Sequence, residues 1–478
     1  MALAKPKVAI VGAGIFGLST AYYLAEDGYD ITIFDQHAYD SNEGYKLNPC
    51  TTAASVDENK IFRASYGDEI YYQRLAYEAR AIWKEWNDEM GPGKELFMES
   101  GMLRVQPSDE LDELEKQTLA NMTKEGLRDT QYILTNEEDV RRAERNGWAH
   151  KLLKFSIPES DGKRAFEAVL DSTAGYVYPS AGCAYLAEKL HKLGAKFIEG
   201  PEKGVFKSFR IEGEGESKRV IGITTADGKE HSADLVIMAC GAASAMLVPD
   251  VSRVLEATAG SVVTVQLPPR DQVPEIWDKY SQENWPVIIG HDPDPTGKDV
   301  GSRSIYAFPR TDDGLIKIGY RVTKYTNFVK LPGFDRPISV PLRPGIDDTS
   351  LPMISVKGIK TFVSTFLPDL AALPISATRL CFYTDTVDNS WLIDYLPGYN
   401  DTLFMCTGGS GHGAKFTPIL GKYVRDVVQK KPKTELTYHW RWRPELPLGN
   451  GLEEGPDGPR TLDKQERATP KDLERAGW

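Results

Sequence analysis

Lys7-Val-Ala-Ile-Val11 is a short, unbroken apolar run of the kind buried on both faces of a parallel sheet. After it, Ile15 to Glu26 places Phe16, Leu18, Ala21, Tyr22, Leu24 and Ala25 at helical spacing, and Ile31-Thr-Ile-Phe34 reads as a second strand, so the chain opens with a βαβ unit. Asp68 to Met90 carries Ile70, Tyr71, Leu75, Ala79, Ile82, Trp83 and Trp86 with a period near 3.6 and predicts one long amphipathic helix, ended by Gly91-Pro-Gly93.

Residues 107 to 150 are charge-rich with a helical pattern, as in Asp109-Glu-Leu-Asp-Glu-Leu-Glu115, and predict a solvated helical layer. Alternation of strand and helix returns at Gly175-Tyr-Val-Tyr178, Tyr185 to Leu193 and Lys196-Phe-Ile198, followed by a hairpin-like Val220 to Thr225 that turns at Asp227-Gly228. Leu235-Val-Ile-Met-Ala239 then leads into Cys240-Gly-Ala-Ala243, where small residues would let the backbone approach a nucleotide. From about residue 255 the pattern turns β-rich, with Ser261 to Leu267, Arg303 to Phe308 and Leu315 to Tyr320. The parallel-sheet pattern resumes after Cys381 with Leu403-Phe-Met-Cys406, a glycine-rich loop and a predicted helix from Ala414 to Gln429.

The expected architecture is α/β: a Rossmann-like, glutathione-reductase-type nucleotide domain, discontinuous over 1–86, 163–252 and 386–445, and a β-rich α+β substrate domain over 87–162 and 253–385. The stretch 446–478, rich in Gly, Pro and charge, is expected to be an extended or mobile tail.

With 41% hydrophobic and 26% charged positions over 478 residues, the chain can bury ordinary cores. A net charge of −12 without a long basic run argues against nucleic acid as the partner. The longest apolar runs fall far short of the roughly 20 residues needed to cross a bilayer, and the first residues lack a secretory apolar block. The expectation is an intracellular protein, cytoplasmic or peroxisomal, with no membrane partner; the sequence is compatible with a monomer. Five scattered cysteines make neither a disulfide framework nor a CxxC metal clamp, and no metal site is expected.

Gly12-Ala-Gly14-Ile15-Phe16-Gly17 follows a predicted strand and opens a helix, the context a dinucleotide fingerprint requires. Gly12 permits the tight turn, Gly14 leaves room for a pyrophosphate over the helix N-terminus, and Gly17 lets helix and sheet pack closely. Asp35, at the end of the next strand, is placed to accept the adenosine ribose hydroxyls, which favours NAD or FAD over NADP. Far along the chain, Thr407-Gly-Gly-Ser-Gly-His-Gly413 leads into the predicted helix at Ala414, with Pro418 in its first turn. Such an N-terminus could stabilise charge on a reduced flavin, or the loop could be an ordinary glycine turn with His412 satisfied by backbone groups.

The order of these motifs resembles the family of monomeric sarcosine oxidase, pipecolate oxidase, saccharopine oxidase and the fungal fructosyl amino acid oxidases (amadoriases). The resemblance runs to about Glu445, through the fingerprint, Ser55-Val-Asp-Glu-Asn-Lys-Ile-Phe-Arg63-Ala-Ser-Tyr66-Gly, Lys317-Ile-Gly-Tyr320, Cys381-Phe-Tyr383-Thr-Asp-Thr, Asn389-Ser-Trp-Leu-Ile-Asp394, Gly409-Ser-Gly-His-Gly-Ala-Lys415 and Trp440-Arg-Trp-Arg-Pro-Glu445. It implies FAD, held by Gly12, Gly14, Ile15, Phe16, Gly17, Asp35, Ser55, Lys60, Gly409, Gly411, His412, Gly413 and Lys415, and tethered through an 8α-S-cysteinyl bond to Cys381. It also implies that Lys317 activates O2 beside the flavin N5, where a fixed cation favours electron transfer to oxygen. Arg63 and Lys415 would grip a substrate carboxylate, with Tyr383 and Arg321 beside them.

Arg321 stands where sarcosine oxidase has a histidine, which argues against sarcosine itself. Asn59-Lys60 matches the fungal branch, whereas Lys415 is kept where some amadoriases replace it. The charged insert Asp40 to Asn48, the extra length between 268 and 300 and the C-terminal extension could reshape the entrance. The function expected is FAD-dependent oxidation of a secondary-amine amino acid (fructosyl amino acid, saccharopine, pipecolate or another N-alkyl amino acid), with hydride transfer to flavin, imine hydrolysis and reduction of O2 to H2O2. A specialised-metabolite N-alkyl amine as substrate, a NAD-dependent dehydrogenase, and a non-catalytic flavoprotein subunit are the alternatives.

Overall fold

The computed structural model describes residues 5–39, 53–106, 108–159, 162–290, 305–342 and 349–474. The insert Asp40 to Asn48, Cys50, residues 291–300 and Arg303 lie outside the described residues. Two sheets carry the architecture. The first has six strands in the order Lys196–Glu199, Asp30–Asp35, Lys7–Val11, Leu235–Met238, Leu403–Thr407 and Leu392–Tyr395. The first five run parallel, and only Leu392–Tyr395 is antiparallel. Its strands come from opposite ends of the chain, and its central ones are apolar runs buried on both faces; Leu403–Thr407, for example, is buried throughout. Helices Ile15–Glu26, Ile70–Met90, Pro179–Lys192 and Leu420–Val428 contribute to the core that includes Val8, Ile10, Ile33 and Ile237.

The second sheet has eight strands in the order Ala377–Thr386, Leu255–Gln266, Leu315–Tyr325, Ile305–Ala307, Val287–Gly290, Met102–Val105, Ala168–Asp171 and Gln131–Ile133. All its pairings are antiparallel except that of Val287–Gly290 with Met102–Val105. Helix Met353–Phe366 covers part of it through Val356, Ile359, Phe362 and Val363. The mixed α/β architecture is the expected one.

Local departures have physical causes. The charged region holds the helices Glu113–Lys124 and Glu137–Arg145, capped by Asp112 and Asn136, and also the strand Gln131–Ile133 at the edge of the eight-stranded sheet. Ala168–Asp171 joins that sheet too, although the expected boundary assigned it to the nucleotide domain. The helix expected from Ala414 begins instead at Leu420, after a 3₁₀ turn over Ala414–Phe416. Pro418 has no N–H to give to residue 414, so it separates the two helical segments rather than sitting inside the first turn of one.

The described part of the C-terminal stretch, 446–474, is anchored and ends in the short helix Pro470–Glu474. Leu462 and Ala468 are buried in the second core, Thr326 pairs with Thr461 in a parallel bridge, and Arg460 is ion-paired to Glu256 and Glu454 at 2.9 Å each. A few well-placed anchors hold it in spite of its low apolar content.

Candidate active site

A cavity of about 350 Å³ is lined by both sheets, from Asp35 and His37 at one end to Arg63, Arg321 and Lys415 at the other. At the first end Gly12 has φ +111°, and a Cβ there would collide with the Ala239 carbonyl. The helix that follows, Ile15–Glu26, has Gly14 as its N-cap with no side-chain hydrogen bond to its first amides, and Gly14, Ile15 and Phe16 border the cavity. Ile15, Phe16, Ser55 and the backbone around Cys240 to Ala243 complete this part of the lining. Asp35 accepts the amides of Ala13 at 2.8 Å and His37 at 2.9 Å, so it braces the glycine turn as well as facing the cavity. Burial raises its carboxyl above the usual range, although both amides pull it down. Two anions of a pyrophosphate at an uncapped helix end, a ribose at Asp35 and an apolar-walled continuation toward Cys381 are what an FAD requires. The residues present therefore fit that group.

The middle of the cavity is bordered by Asp57, Asn59, Lys60, Tyr306, Phe308 and Cys381. Asp57 Oδ2 is 2.7 Å from both the Lys60 and the Lys317 ammonium, and Lys317 also donates to the Asn59 carbonyl at 2.6 Å. Burial alone would raise the Asp57 carboxyl; Lys317 and Lys60 overcome it and hold the group well below the carboxylate range. The two lysines differ. Burial, with the Lys60 charge, lowers Lys317 in spite of Asp57, whereas Asp57 together with other neighbours raises Lys60 in spite of its burial. Lys60 borders the cavity, while Lys317 sits behind Asp57, 3% exposed, 5.2 Å above the Phe308 ring.

At the far end Tyr66 organises two cations. The Arg63 guanidinium lies 4.7 Å from the centre of its ring and the Lys415 ammonium 5.0 Å, and Lys415 donates to its hydroxyl at 2.7 Å. His412 Nε2 is 3.1 Å from the Asn389 carbonyl, which can only accept, so Nε2 carries the proton and Nδ1 accepts from the Tyr66 hydroxyl at 3.0 Å. This neutral form agrees with burial and the Lys415 charge, which lower His412 well below its ordinary range. Lys415 is itself lowered well below the ammonium range, by burial first and then by Arg63 and Arg321.

Arg321 occupies the other side of the glycine loop. It donates to the Tyr383 hydroxyl at 3.0 Å, the Ser410 carbonyl at 2.8 Å and the Gly411 carbonyl at 3.3 Å. Gly411 has φ +69°, and a Cβ there would run into the guanidinium. Gly409 and Gly413 pack on the Phe16 ring, which ties the loop to the dinucleotide turn. Among the described residues no carboxylate comes within ion-pair distance of Arg63, Arg321 or Lys415.

The expected site residues line one cavity, except Lys317, which lies behind Asp57, and Gly17, which packs on the Gly12 carbonyl inside the turn. Sequence reasoning assigned no role to Asp57, Tyr66 or Tyr306. Asp57 precedes Lys60 by three residues and Tyr66 follows Arg63 by three within the Ser55–Gly67 motif; those spacings are the available signal. Tyr306 borders the cavity opposite Gly319 in the neighbouring strand, a pairing that only the register reveals.

The family model described as FAD dependent oxidoreductase matches residues 7–427. Over 450 residues the chain is 29% identical to L-saccharopine oxidase of Schizosaccharomyces pombe, covering 91% of this chain and 93% of that protein. It is 24% identical over 425 residues to the human peroxisomal sarcosine oxidase, covering 88% and 91%. The crystal structure of a modified fructosyl peptide oxidase from Aspergillus nidulans superposes with a TM-score of 0.75 at 26% identity, covering 97% of this chain and 99% of that one. FAD rather than NAD is therefore the nucleotide of the fold, and the resemblance expected from the motifs holds. The chain belongs to the FAD dependent oxidoreductase family.

Proposed function

We propose that the protein is an FAD-dependent oxidase of secondary-amine amino acids. The observation that carries this reading is the pairing of Arg63 and Lys415 on the Tyr66 ring, without a carboxylate partner among the described residues, in the same cavity as the Gly12–Gly14 turn and Cys381. An amino acid carboxylate supplies the missing counter-charge and fixes the Cα–H against the middle of the cavity. When bound, FAD supplies a two-electron acceptor whose reoxidation turns O2 into H2O2. The chain supplies the rest. Arg63 and Lys415 orient the substrate, and the Lys415–Tyr66–His412 hydrogen-bond chain fixes their heads. The net positive Asp57–Lys60–Lys317 cluster stabilises negative charge on oxygen, the role assigned to Lys317. Water hydrolyses the released imine to a carbonyl compound and a primary amine.

Cys381 is assigned the covalent tether to the 8α position; it is buried and borders the cavity. Fructosyl amino acids, saccharopine, pipecolate and other N-alkyl amino acids are the substrate candidates, and residues 1–86, 163–252 and 386–445 are taken as the cofactor-binding part. The test is a peroxide-release screen of the purified protein over these secondary amines, with anaerobic bleaching of the flavin as a second readout. Turnover of primary amines alone, or none of either kind, removes the proposal. Flavin should stay with the polypeptide through acid denaturation and be released from Cys381→Ala; retention in the variant would move the tether elsewhere.

A further inference from the structure

The charge inventory of the chamber goes beyond what one amino acid carboxylate needs. Arg63 and Lys415 share the Tyr66 ring and form one anion locus. Arg321 is a separate one: it reaches the cavity from the strand Leu315–Tyr325, across the Ser410–His412 loop, and is held by Tyr383 and two loop carbonyls. A guanidinium has five N–H donors, and three of those of Arg321 have the partners just named, which leaves two for a ligand. One of those two is on Nη1 and the other on Nη2, so each terminal nitrogen keeps a charged donor for a carboxylate oxygen. Carbonyl and hydroxyl partners orient the head without neutralising it. A buried charge without a counter-ion is costly, and proteins keep one where a ligand completes it. Between the polar groups, Ile61, Val262, Ile289 and Phe308 offer apolar walls suited to a methylene chain.

Resting on the amino acid oxidase reading, we infer that the substrate carries a second carboxylate, bound by Arg321, in addition to the α-carboxylate on Arg63 and Lys415. The second carboxylate can end the arm attached to nitrogen or the side chain, and two matched probe pairs separate these sources. One pair is N-(3-carboxypropyl)-L-alanine and its terminal carboxamide; the other is N-methyl-L-glutamate and N-methyl-L-glutamine. Within each pair only the charge changes.

On the holoenzyme, at least one acid should exceed its amide in kcat/KM by about 30-fold, the worth of a charge-assisted contact in a partly desolvated site. The ratio should fall to within about threefold in Arg321→Gln and recover in part in Arg321→Lys, which keeps the charge but not the planar head. Because each ratio is internal to one protein, a general loss of activity in the variant leaves the readout intact. Ratios near one in both pairs for the unmodified protein, or a ratio that survives Arg321→Gln, overturn the inference. A binding arm needs no turnover: glutarate should perturb the flavin absorbance and raise the melting temperature at about tenfold lower concentration than glutaramate, and equal affinities overturn the inference. Tighter glutarate binding without flavin reduction by any secondary amine would leave the dicarboxylate site standing and sink the amine oxidase reading instead.

Discussion

Two groups of buried charge meet at the same end of the second sheet, a few residues apart on the strand Leu315–Tyr325, and are built in opposite ways. Beneath the C-terminal stretch, Glu256, Lys324 and Asp385 come from the strands Leu255–Gln266, Leu315–Tyr325 and Ala377–Thr386, and Arg460 and Glu454 join them from the tail. Each of these charges has an opposite partner within 3.3 Å. Three residues from Lys324 and two from Asp385 along the same strands, Arg321 and Tyr383 face the cavity, where Arg321, Arg63 and Lys415 have no acidic partner among the described residues. Paired charges fix where the tail lies; unpaired ones hold a deficit that a ligand fills. The Asp57 cluster falls between the two, with one carboxylate for two lysines.

The in-between cluster gives the largest expected effect. Lys317→Met leaves Lys60 and Asp57 as a neutral pair and removes the surplus charge from beside the cavity while keeping most of the side-chain bulk. Anaerobic flavin reduction should slow modestly, and reoxidation by O2 should slow by about 10²- to 10³-fold. Stopped-flow measurement of the two half-reactions checks this. Equal slowing of both would make Lys317 a packing residue, and unchanged reoxidation would remove it from oxygen chemistry.

Next in size is the paired cluster. Arg460→Ala strips the counter-charge from Glu256 and Glu454 and should destabilise the protein by about 3 kcal/mol, the usual consequence of orphaning one side of a buried pair. Burial already pushes the Glu256 carboxyl up to about 7 against the attraction of Arg460. Without Arg460 it is held protonated to still higher pH, so the loss should be greater at pH 8 than at pH 6. Denaturant melts at both pH values, read beside kcat/KM, test it; a variant as stable as the parent would mean that the tail is held by Leu462 and Ala468 alone.

Arg63→Ala should do the reverse. It removes one of two contacts to the substrate carboxylate and should lower kcat/KM by about 30- to 150-fold, or 2–3 kcal/mol, with little change in melting temperature or flavin content. Near-normal kinetics would place the carboxylate elsewhere.

The contrast between the clusters also marks what the sequence can carry. The βαβ opening, the Ile70–Met90 helix and the strands of the first sheet follow from local apolar period and glycine placement. The motif residues converge on one cavity because the Gly12 and Gly409 loops leave strand ends of the first sheet, while Arg321, Cys381 and Tyr383 reach it from within strands of the second. Partnership was less legible. Nothing local says that Lys317 meets Asp57 across 260 positions, that Arg460 reaches Glu256, or that Gln131–Ile133 finds an edge to pair with. Three residues of strand have no period to read, and an ion pair leaves no pattern along the chain. The tail shows the same limit: composition reports how much apolar surface is available, not that two or three residues are enough when the groove for them exists.

The smallest expected effect sharpens the comparison most, because it predicts a gain. Lys415 is 2% exposed, donates to the Tyr66 hydroxyl and the His412 carbonyl, and lies close to two other cations. Burial, Arg63 and Arg321 lower its pKa in the folded state well below that of the unfolded chain. The unfolded chain therefore binds the proton more readily, so this group penalises folding at neutral pH and the penalty fades as pH rises toward the ordinary lysine range. Lys415→Met removes the charge, keeps the length, and gives up two hydrogen bonds; the balance should be a stabilisation of about 1 kcal/mol at pH 7 in the absence of substrate, shrinking by pH 9.5. The same variant should lose carboxylate substrates as Arg63→Ala does. Thermal melts at the two pH values, with and without glutarate, check it: a destabilised Lys415→Met would mean that the ammonium is part of the folded framework, like Arg460, and that the cavity is not held in deficit for a ligand.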